Sequence, residues 1–280
     1  MALHPGAVRS DPGGSRRRRG SEAEAMTDIP PGAPAWIDLV TTDLDGAARF
    51  YTPLFGWAVA AADPQAGADG HLVFHQQGKP VAGAGLGSDP QRPPAWLPYL
   101  ATDDLEGVCR RVTAAGGWIL NEPVDVPGSR RTALFADPAG ASFGVWQSLG
   151  MPGAEVFDVP GSLTWPELTT REWDGAKEFY GSVFGWTADD QPMGPIIYTT
   201  WQLDGRPVAG MMPMVGEDWG DLPSHWMVYF AVTDTDRVVA EAIRMGATLA
   251  VQPTDLTRGR FAVLTDPQGA FFSILGTTPP

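Results

Sequence analysis

This 280-residue chain is poor in the side chains that usually carry covalent or metal chemistry, with one cysteine and four histidines. A single thiol, Cys109, excludes an intrachain disulfide and leaves no redox sign of secretion. It falls in the series Leu105, Val108, Cys109, Val112, the spacing of a buried helical stripe, so a packing role is expected. No apolar run approaches the roughly 18 residues of a membrane span, and no signal-peptide pattern opens the chain. A soluble cytoplasmic protein is expected. Basic residues are scarce too: 19 Lys and Arg stand against 33 Asp and Glu. The first 26 residues take five of the Arg, Arg9 and the run at 16–19, with three acids, leaving 14 basic against 30 acidic side chains and a net charge near −16. Such a body repels nucleic-acid phosphates and anionic lipid. Residues 1–30 hold few apolar side chains and read as a disordered extension rather than a nucleic-acid arm, with Met26 as an alternative start.

What the chain does have is an internal repeat. WIDLVTTDLDGAARFYTPLFGW from Trp36 to Trp57 returns as WPELTTREWDGAKEFYGSVFGW from Trp165 to Trp186, an offset of 129 residues. GKPVAGAG at Gly78 is answered by GRPVAGMM at Gly205, and the Asp-Pro turn at Asp137 by that at Asp266. Two modules follow, 31–150 and 158–280.

Residues 36–41 alternate in character and are rich in strand formers. Asp43 or Asp45 offers a helix N-cap ahead of Ala47, Ala48, Phe50, Tyr51 and Leu54, and Gly56 a C-cap. Residues 71–75 and 81–86 flank a turn at 78–80. Strands at 96–101 and 118–121, a helix at 105–115 and a final hairpin at 131–147 complete the module. The second copy repeats this, its second helix at 236–245. The expectation is an α+β fold of four βαβββ units forming two curved-sheet half-barrels. Helices would cover one face of each sheet, leaving the other for a ligand cleft.

The paired FYTPLFGW and FYGSVFGW segments and the DPAGASFGVW and DPQGAFFSIL endings resemble the vicinal oxygen chelate superfamily, in particular its two-module actinobacterial glyoxalase-like or hydroxylase-like branch. That superfamily includes glyoxalases, extradiol dioxygenases, fosfomycin-modifying enzymes and bleomycin-binding resistance proteins. The resemblance spans residues 33–277 and implies the fold, while leaving the chemistry open. It also implies where a metal would sit: near the start of the first strand, on the strand before the second helix, and seven residues beyond the Asp of the Asp-Pro turn. Those positions hold Trp36 and Trp165, Leu97 and Met227, and Gly144 and Ser273, none a good ligand for a hard or borderline cation. No metal and no cofactor are therefore expected. His71 and His75 share a strand face, but four residues place them roughly 13 Å apart, too far to share one ion. His71 is expected to be a solvated or hydrogen-bonded strand residue.

Asp38 and Glu167 stand two residues beyond the lost ligand positions, on the same face, with a carboxylate kept in each copy. A two-residue slip of the correspondence would make them ligands, which keeps a metal-dependent glyoxalase or dioxygenase as a third reading. Eleven Trp are present. Trp57, Trp186, Trp96 and Trp226 are expected in the core. Trp36, Trp165 and Trp146, with Leu97, Met227 and Ser273, are expected to line a site for a flat aromatic ligand. Two functions follow: a metal-independent binder that sequesters or presents an aromatic natural product, or a metal-free isomerase, lyase or oxygenase. The enzyme would use Asp38 or Glu167 as general base and Tyr99 or Tyr229 as acid. No Ser-His-Asp order, phosphate loop or dinucleotide fingerprint supports hydrolysis or hydride transfer. The expected partner is a small aromatic molecule, the chain itself being a monomer or homodimer. Pocket walls are assigned to loops at 63–70, 87–94 and 215–222.

Overall fold

A computed structural model describes residues 29–59, 71–87, 92–217 and 219–276. Most of the N-terminal extension, including Met26, the 63–70 loop, residues 88–91 and Asp218 lie outside the described residues. Four βαβββ units follow one another. The first runs β1 (Pro34–Thr41), α1 (Leu44–Phe55), β2 (Ala58–Val59), β3 (Leu72–Gln76) and β4 (Lys79–Leu86). The second runs β5 (Ala95–Ala101), α2 (Leu105–Ala114), β6 (Trp118–Val126), β7 (Arg130–Ala136) and β8 (Ser142–Ser148). The third runs β9 (Leu163–Thr170), α3 (Trp173–Phe184), β10 (Thr187–Met193), β11 (Ile196–Leu203) and β12 (Arg206–Pro213). The fourth runs β13 (His225–Val232), α4 (Thr235–Arg244), β14 (Thr248–Leu256), β15 (Gly259–Thr265) and β16 (Phe271–Gly276).

Each module makes one open eight-stranded mixed sheet, in the order β2-β3-β4-β1-β5-β8-β7-β6 and its repeat β10-β11-β12-β9-β13-β16-β15-β14. The edge strands do not meet, so each sheet is a half-barrel. Among the described residues no helix is long and apolar enough to cross a membrane.

Local chemistry explains the element ends. Asp43 is the N-cap of α1, its Oδ1 accepting from Gly46 N at 2.8 Å, and Gly56 closes the helix at φ +70°. The hairpin turn falls at Gln77-Gly78 (φ 52° and 81°) rather than at 78–80, because two consecutive positive φ values make the turn type that matches strand twist. Lys79 and Pro80 instead pair with Gln76 and His75. Strand β6 continues beyond Asn121 to Val126, paired with β7 through two register shifts. Cys109 packs against the core as expected but is only half-buried, at the edge of the α2 stripe formed by Leu105, Val108 and Val112. Burial first, and Glu122 and Glu106 second, raise its thiol pKa.

Two of the cores span both modules. One joins Phe50, Tyr51, Leu54 and Phe55 of α1 to Phe230, Val238 and Phe272 of the second module. The other joins Val108 and Phe143 of the first module to Phe179, Tyr180 and Trp186 of the second. Each buried aromatic contributes about 2 kcal/mol by removing apolar surface from water. The expected core indoles are there: Trp57, Trp96, Trp186 and Trp226 are all buried.

The repeated motifs close this exchange with hydrogen bonds. Tyr51 donates to Asp266 Oδ2 (2.9 Å) and Tyr180 to Asp137 Oδ2 (3.1 Å), each tyrosine reaching the Asp-Pro turn of the other module. Each aspartate also accepts two backbone N–H groups of its own turn, Ala139 and Ala141 or Gln268 and Ala270, all at 2.9 Å. The Phe-Tyr and Asp-Pro motifs are thus two halves of one buried contact, which a single module cannot satisfy alone.

Candidate functional site

Strand register decides which side chains share the face left free of helices. Trp36 pairs with Tyr99 and Asp38 with Leu97 across β1 and β5, Asp38 with Gly83 across β1 and β4, and Tyr99 with Gly144 across β5 and β8. Directly opposed residues point to the same side, so these form one patch, to which Trp146 adds by alternation. The second module repeats the pattern as Trp165 with Tyr229, Glu167 with Met227 and Gly210, and Tyr229 with Ser273. All ten expected site residues therefore gather in two patches: Trp36, Asp38, Leu97, Tyr99 and Trp146 in one, Trp165, Glu167, Met227, Tyr229 and Ser273 in the other.

The first patch is filled. Trp36 and Trp146 are each 1% exposed and lie against one another, ring centroids 5.2 Å apart. Arg130 covers the other indole at 5.0 Å from the Trp146 ring, and Tyr99 meets it edge-on at 6.3 Å. The segment joining the modules completes the cover. Met151 and Ala154 pack into this cluster, Ala154 N donates to Ala35 O (2.8 Å), and Trp146 Nε1 donates to Met151 O (3.0 Å). Beneath this roof Asp38 Oδ1 accepts from Trp36 Nε1 at 2.7 Å and faces His71 Nε2 at 3.1 Å. Burial alone would raise the Asp38 pKa, but His71, Trp36 and Arg130 outweigh it, and the net shift is downward. Burial and then Asp38 push the Tyr99 phenol well above its ordinary value.

The second patch is more open. Trp165, Tyr198 and Tyr229 are half-buried, and Arg258, an exposed residue, stands 5.8 Å from the Trp165 ring. Tyr198 donates to Glu167 Oε2 (2.7 Å) and Tyr229 to Glu167 Oε1 (2.9 Å), while Trp165 Nε1 donates to the Tyr198 oxygen (3.0 Å). Burial raises the Glu167 pKa, and the two phenols offset only part of that rise. The phenols are raised in turn, by burial and then by Glu167. A carboxyl shifted this way holds or releases a proton closer to neutrality than an ordinary one.

Three partners lie beyond the expected set: His71, Tyr198 and Arg130. His71 and Tyr198 occupy the same place in the two copies, immediately before or early in the third strand of their units. Both fit only because the facing strand is bare. A Cβ at Gly83 would collide with Asp38 and His71, and one at Gly210 with Tyr198 and Trp165. The repeat itself carried this signal, since both positions hold a polar ring and both glycines recur. Arg130 has no counterpart of its own type one offset away.

The superfamily's metal positions do not fit a cation here. The indole N–H groups of Trp36 and Trp165 are donors already engaged by Asp38 and Tyr198, and Leu97 and Met227 offer no oxygen or nitrogen ligand. Gly144 lies beneath the Tyr99 ring, and the Ser273 hydroxyl is buried against the Tyr229 phenol. Among the described residues no three His, Cys, Asp or Glu side chains converge as a metal site would require.

Comparison with known proteins gives the same frame. Residues 33–145 match the family model described as the Glyoxalase/Bleomycin resistance protein/Dioxygenase superfamily, and residues 167–275 the model of a glyoxalase-like domain. The chain is 42% identical over 265 residues to the anthracycline biosynthesis protein DnrV of Streptomyces peucetius, covering 89% of this chain and 95% of that protein. It is 40% identical over 265 residues, with the same coverage, to the anthracycline biosynthesis protein DauV of Streptomyces sp. (strain C5). Among solved structures, the Mn(II)-bound glyoxalase from Novosphingobium aromaticivorans superposes with a TM-score of 0.62 at 18% identity, covering 89% of this chain and 83% of that one. That last likeness shows the fold alone. Four βαβββ units, two matching family models and relatives similar over nearly their whole length establish that this chain belongs to the glyoxalase, bleomycin resistance protein and dioxygenase superfamily, as a tandem member.

Proposed function

We propose that this chain binds a planar aromatic small molecule of the anthracycline type on the free face of its second module, without a metal ion, as a sequestering or accessory protein in natural-product biosynthesis or resistance. The observation that carries this reading is Glu167 held between Tyr198 and Tyr229 beside the half-buried indole of Trp165. Trp165 and Met227 supply apolar contact for a flat ring, worth about 1 kcal/mol per aromatic pair beyond area burial. Glu167 and its phenols supply the few polar groups that orient a ligand carrying hydroxyl and carbonyl oxygens. The relatives' role in anthracycline biosynthesis supports that ligand class.

Glu167 favours a second reading, a metal-free isomerase, lyase or oxygenase. A carboxyl with a raised pKa, bonded to two phenols, forms a short proton path on which Glu167 accepts and Tyr229 or Tyr198 donates.

The test is a titration of tryptophan fluorescence with the hydroxyanthraquinone quinizarin, followed by product analysis. Saturable quenching that weakens several-fold in Trp165→Ala and leaves the compound unchanged supports the binder. Turnover that disappears in Glu167→Gln while quenching persists supports the enzyme. No saturable quenching by any of a panel of fused aromatic compounds overturns both.

A further inference from the structure

The free face of the second module carries one more polar pair, and the repeat shows that the pair is particular to that module. His225 of β13 stands opposite Thr169 of β9, in the same strand pairing that sets Met227 opposite Glu167 and Tyr229 opposite Trp165. Alternation puts all three pairs on one face, with His225 and Thr169 two residues beyond the Glu167 row. The matching register in the first module sets Val40 opposite Ala95, two apolar side chains. A polar pair thus stands in place of an apolar one on the more open of the two faces.

The pair is unengaged. His225 is half-buried, and its Nδ1 lies 2.9 Å from the Pro223 carbonyl oxygen. A carbonyl only accepts, so the ring hydrogen sits on Nδ1 and Nε2 carries a lone pair in the neutral imidazole. Burial outweighs the Pro223 bond and lowers the His225 pKa, which favours that neutral form. Among the described residues neither Nε2 nor the Thr169 hydroxyl makes a hydrogen bond, and neither is one of the sealed polar atoms left without a partner, so both meet solvent. The other polar groups of the face are committed: both phenol hydrogens go to Glu167, whose two oxygens each accept one. Arg258, at the Trp165 end, can only donate. The nitrogen acceptor left for a ligand hydroxyl is therefore His225 Nε2, with the Thr169 side chain starting about 5 Å away across the strands.

We propose that His225 and Thr169 form the hydroxyl-recognising end of the second-module site: Nε2 accepts the hydrogen of a terminal hydroxyl on the ligand, and the Thr169 hydroxyl donates to that same oxygen. The proposal rests on the aromatic-binding reading above and narrows its ligand class. Four residues separate His225 from Tyr229, roughly 13 Å of strand, so a ligand stacked on Trp165 must be elongated to reach the pair. Met227, between them, offers apolar contact along the way. The site thus selects a fused aromatic system of three or more rings with a free hydroxyl at its far end. Without that hydroxyl, Nε2 is covered by the ligand and left unpaired, which costs affinity.

The probes are 2-hydroxyanthraquinone and 2-methoxyanthraquinone, which differ in one hydrogen-bond donor at the end of the ring system. At a pH where the free hydroxyl keeps its proton, wild-type protein is expected to bind the hydroxy compound about tenfold more tightly, as read by tryptophan quenching. His225→Phe should remove that preference by weakening the hydroxy compound alone. Quinizarin, whose hydroxyls turn to its own carbonyls, should bind this variant as it binds wild type. Equal wild-type affinities for the two probes, or a preference that survives His225→Phe, overturn the proposal and leave the aromatic-binding reading standing. No saturable quenching by any of the three compounds overturns both. Should His225→Phe fold poorly, nitrogen-15 spectra of the wild-type histidines decide. A His225 Nε2 that is unprotonated in the free protein and shifts on saturation with the hydroxy but not the methoxy compound supports the site; an Nε2 that responds to neither, or to both alike, overturns it.

Discussion

The two modules carry the same fold, the same registered pairs and one carboxylate each, yet they treat that carboxylate in opposite ways. In the first, a histidine and an indole N–H hold Asp38 as an anion under a roof made by the inter-module segment. In the second, burial raises the Glu167 pKa and the hydrogen bonds of two phenols offset only part of that rise, on a face that keeps more exposure. One changed partner accounts for most of this, since His71 can carry a positive charge and Tyr198 cannot. Duplication thus yields two electrostatic environments on one scaffold, one that lowers a carboxyl pKa and one that raises it.

The largest expected effect would break or confirm that contrast directly. Asp38→Asn removes the charge that His71 and Arg130 face and is expected to cost about 3 kcal/mol in urea unfolding. Glu167→Gln should instead be tolerated, and in mildly alkaline solution should melt above wild type. The pH dependence runs in opposite directions. Asp38 has its pKa lowered in the fold, so its contribution is present above the ordinary carboxyl value of 3.8 and disappears as pH falls through its own lower value. Glu167 has its pKa raised, so its contribution is present below the ordinary 4.5 and disappears as pH rises through its higher value. Equal losses from the two variants at every pH would abolish the distinction.

A smaller effect concerns the third metal position. Gly144 lies beneath the Tyr99 ring, so Gly144→Ser must displace that ring and should cost about 2 kcal/mol. At the matching place the buried hydroxyl of Ser273 faces the Tyr229 phenol, so Ser273→Ala opens no clash and should change stability by no more than about 1 kcal/mol. Thermal melts of both variants check this. The smallest effect sharpens the second module alone. Tyr198→Phe removes one donor to Glu167, should cost about 1 kcal/mol and should raise the Glu167 pKa further, as followed by carbon-13 titration of the carboxyl.

Much of the site was legible because strand alternation is a strict period and the repeat supplied two independent samples of it. Trp36 stands opposite Tyr99 and Asp38 opposite Leu97, and Trp165 opposite Tyr229 and Glu167 opposite Met227, as the strand spacing requires. The proton partners were less so. His71, 33 residues after Asp38, approaches it from just before β3, and the pairing of β3 with β4 and of β4 with β1 that brings it there includes a non-local contact. Burial of Trp36 and Trp146 was also hidden, because the covering residues Met151 and Ala154 belong to a connection with no periodicity to read.

The amino-acid sequence by itself determined the tandem βαβββ architecture, the face on which the conserved-by-repeat carboxylates stand and the lack of metal-ligating side chains at the superfamily's positions, because each follows from residue type and spacing. Only the tertiary structure decided that two cores span both modules, that Tyr51 and Tyr180 satisfy the opposite Asp-Pro turns, and that the fold lowers the pKa of one carboxyl and raises that of its twin. Those outcomes depend on burial and on distances between groups far apart in the chain, and the free energy of a charge is set by the few ångströms of protein around it.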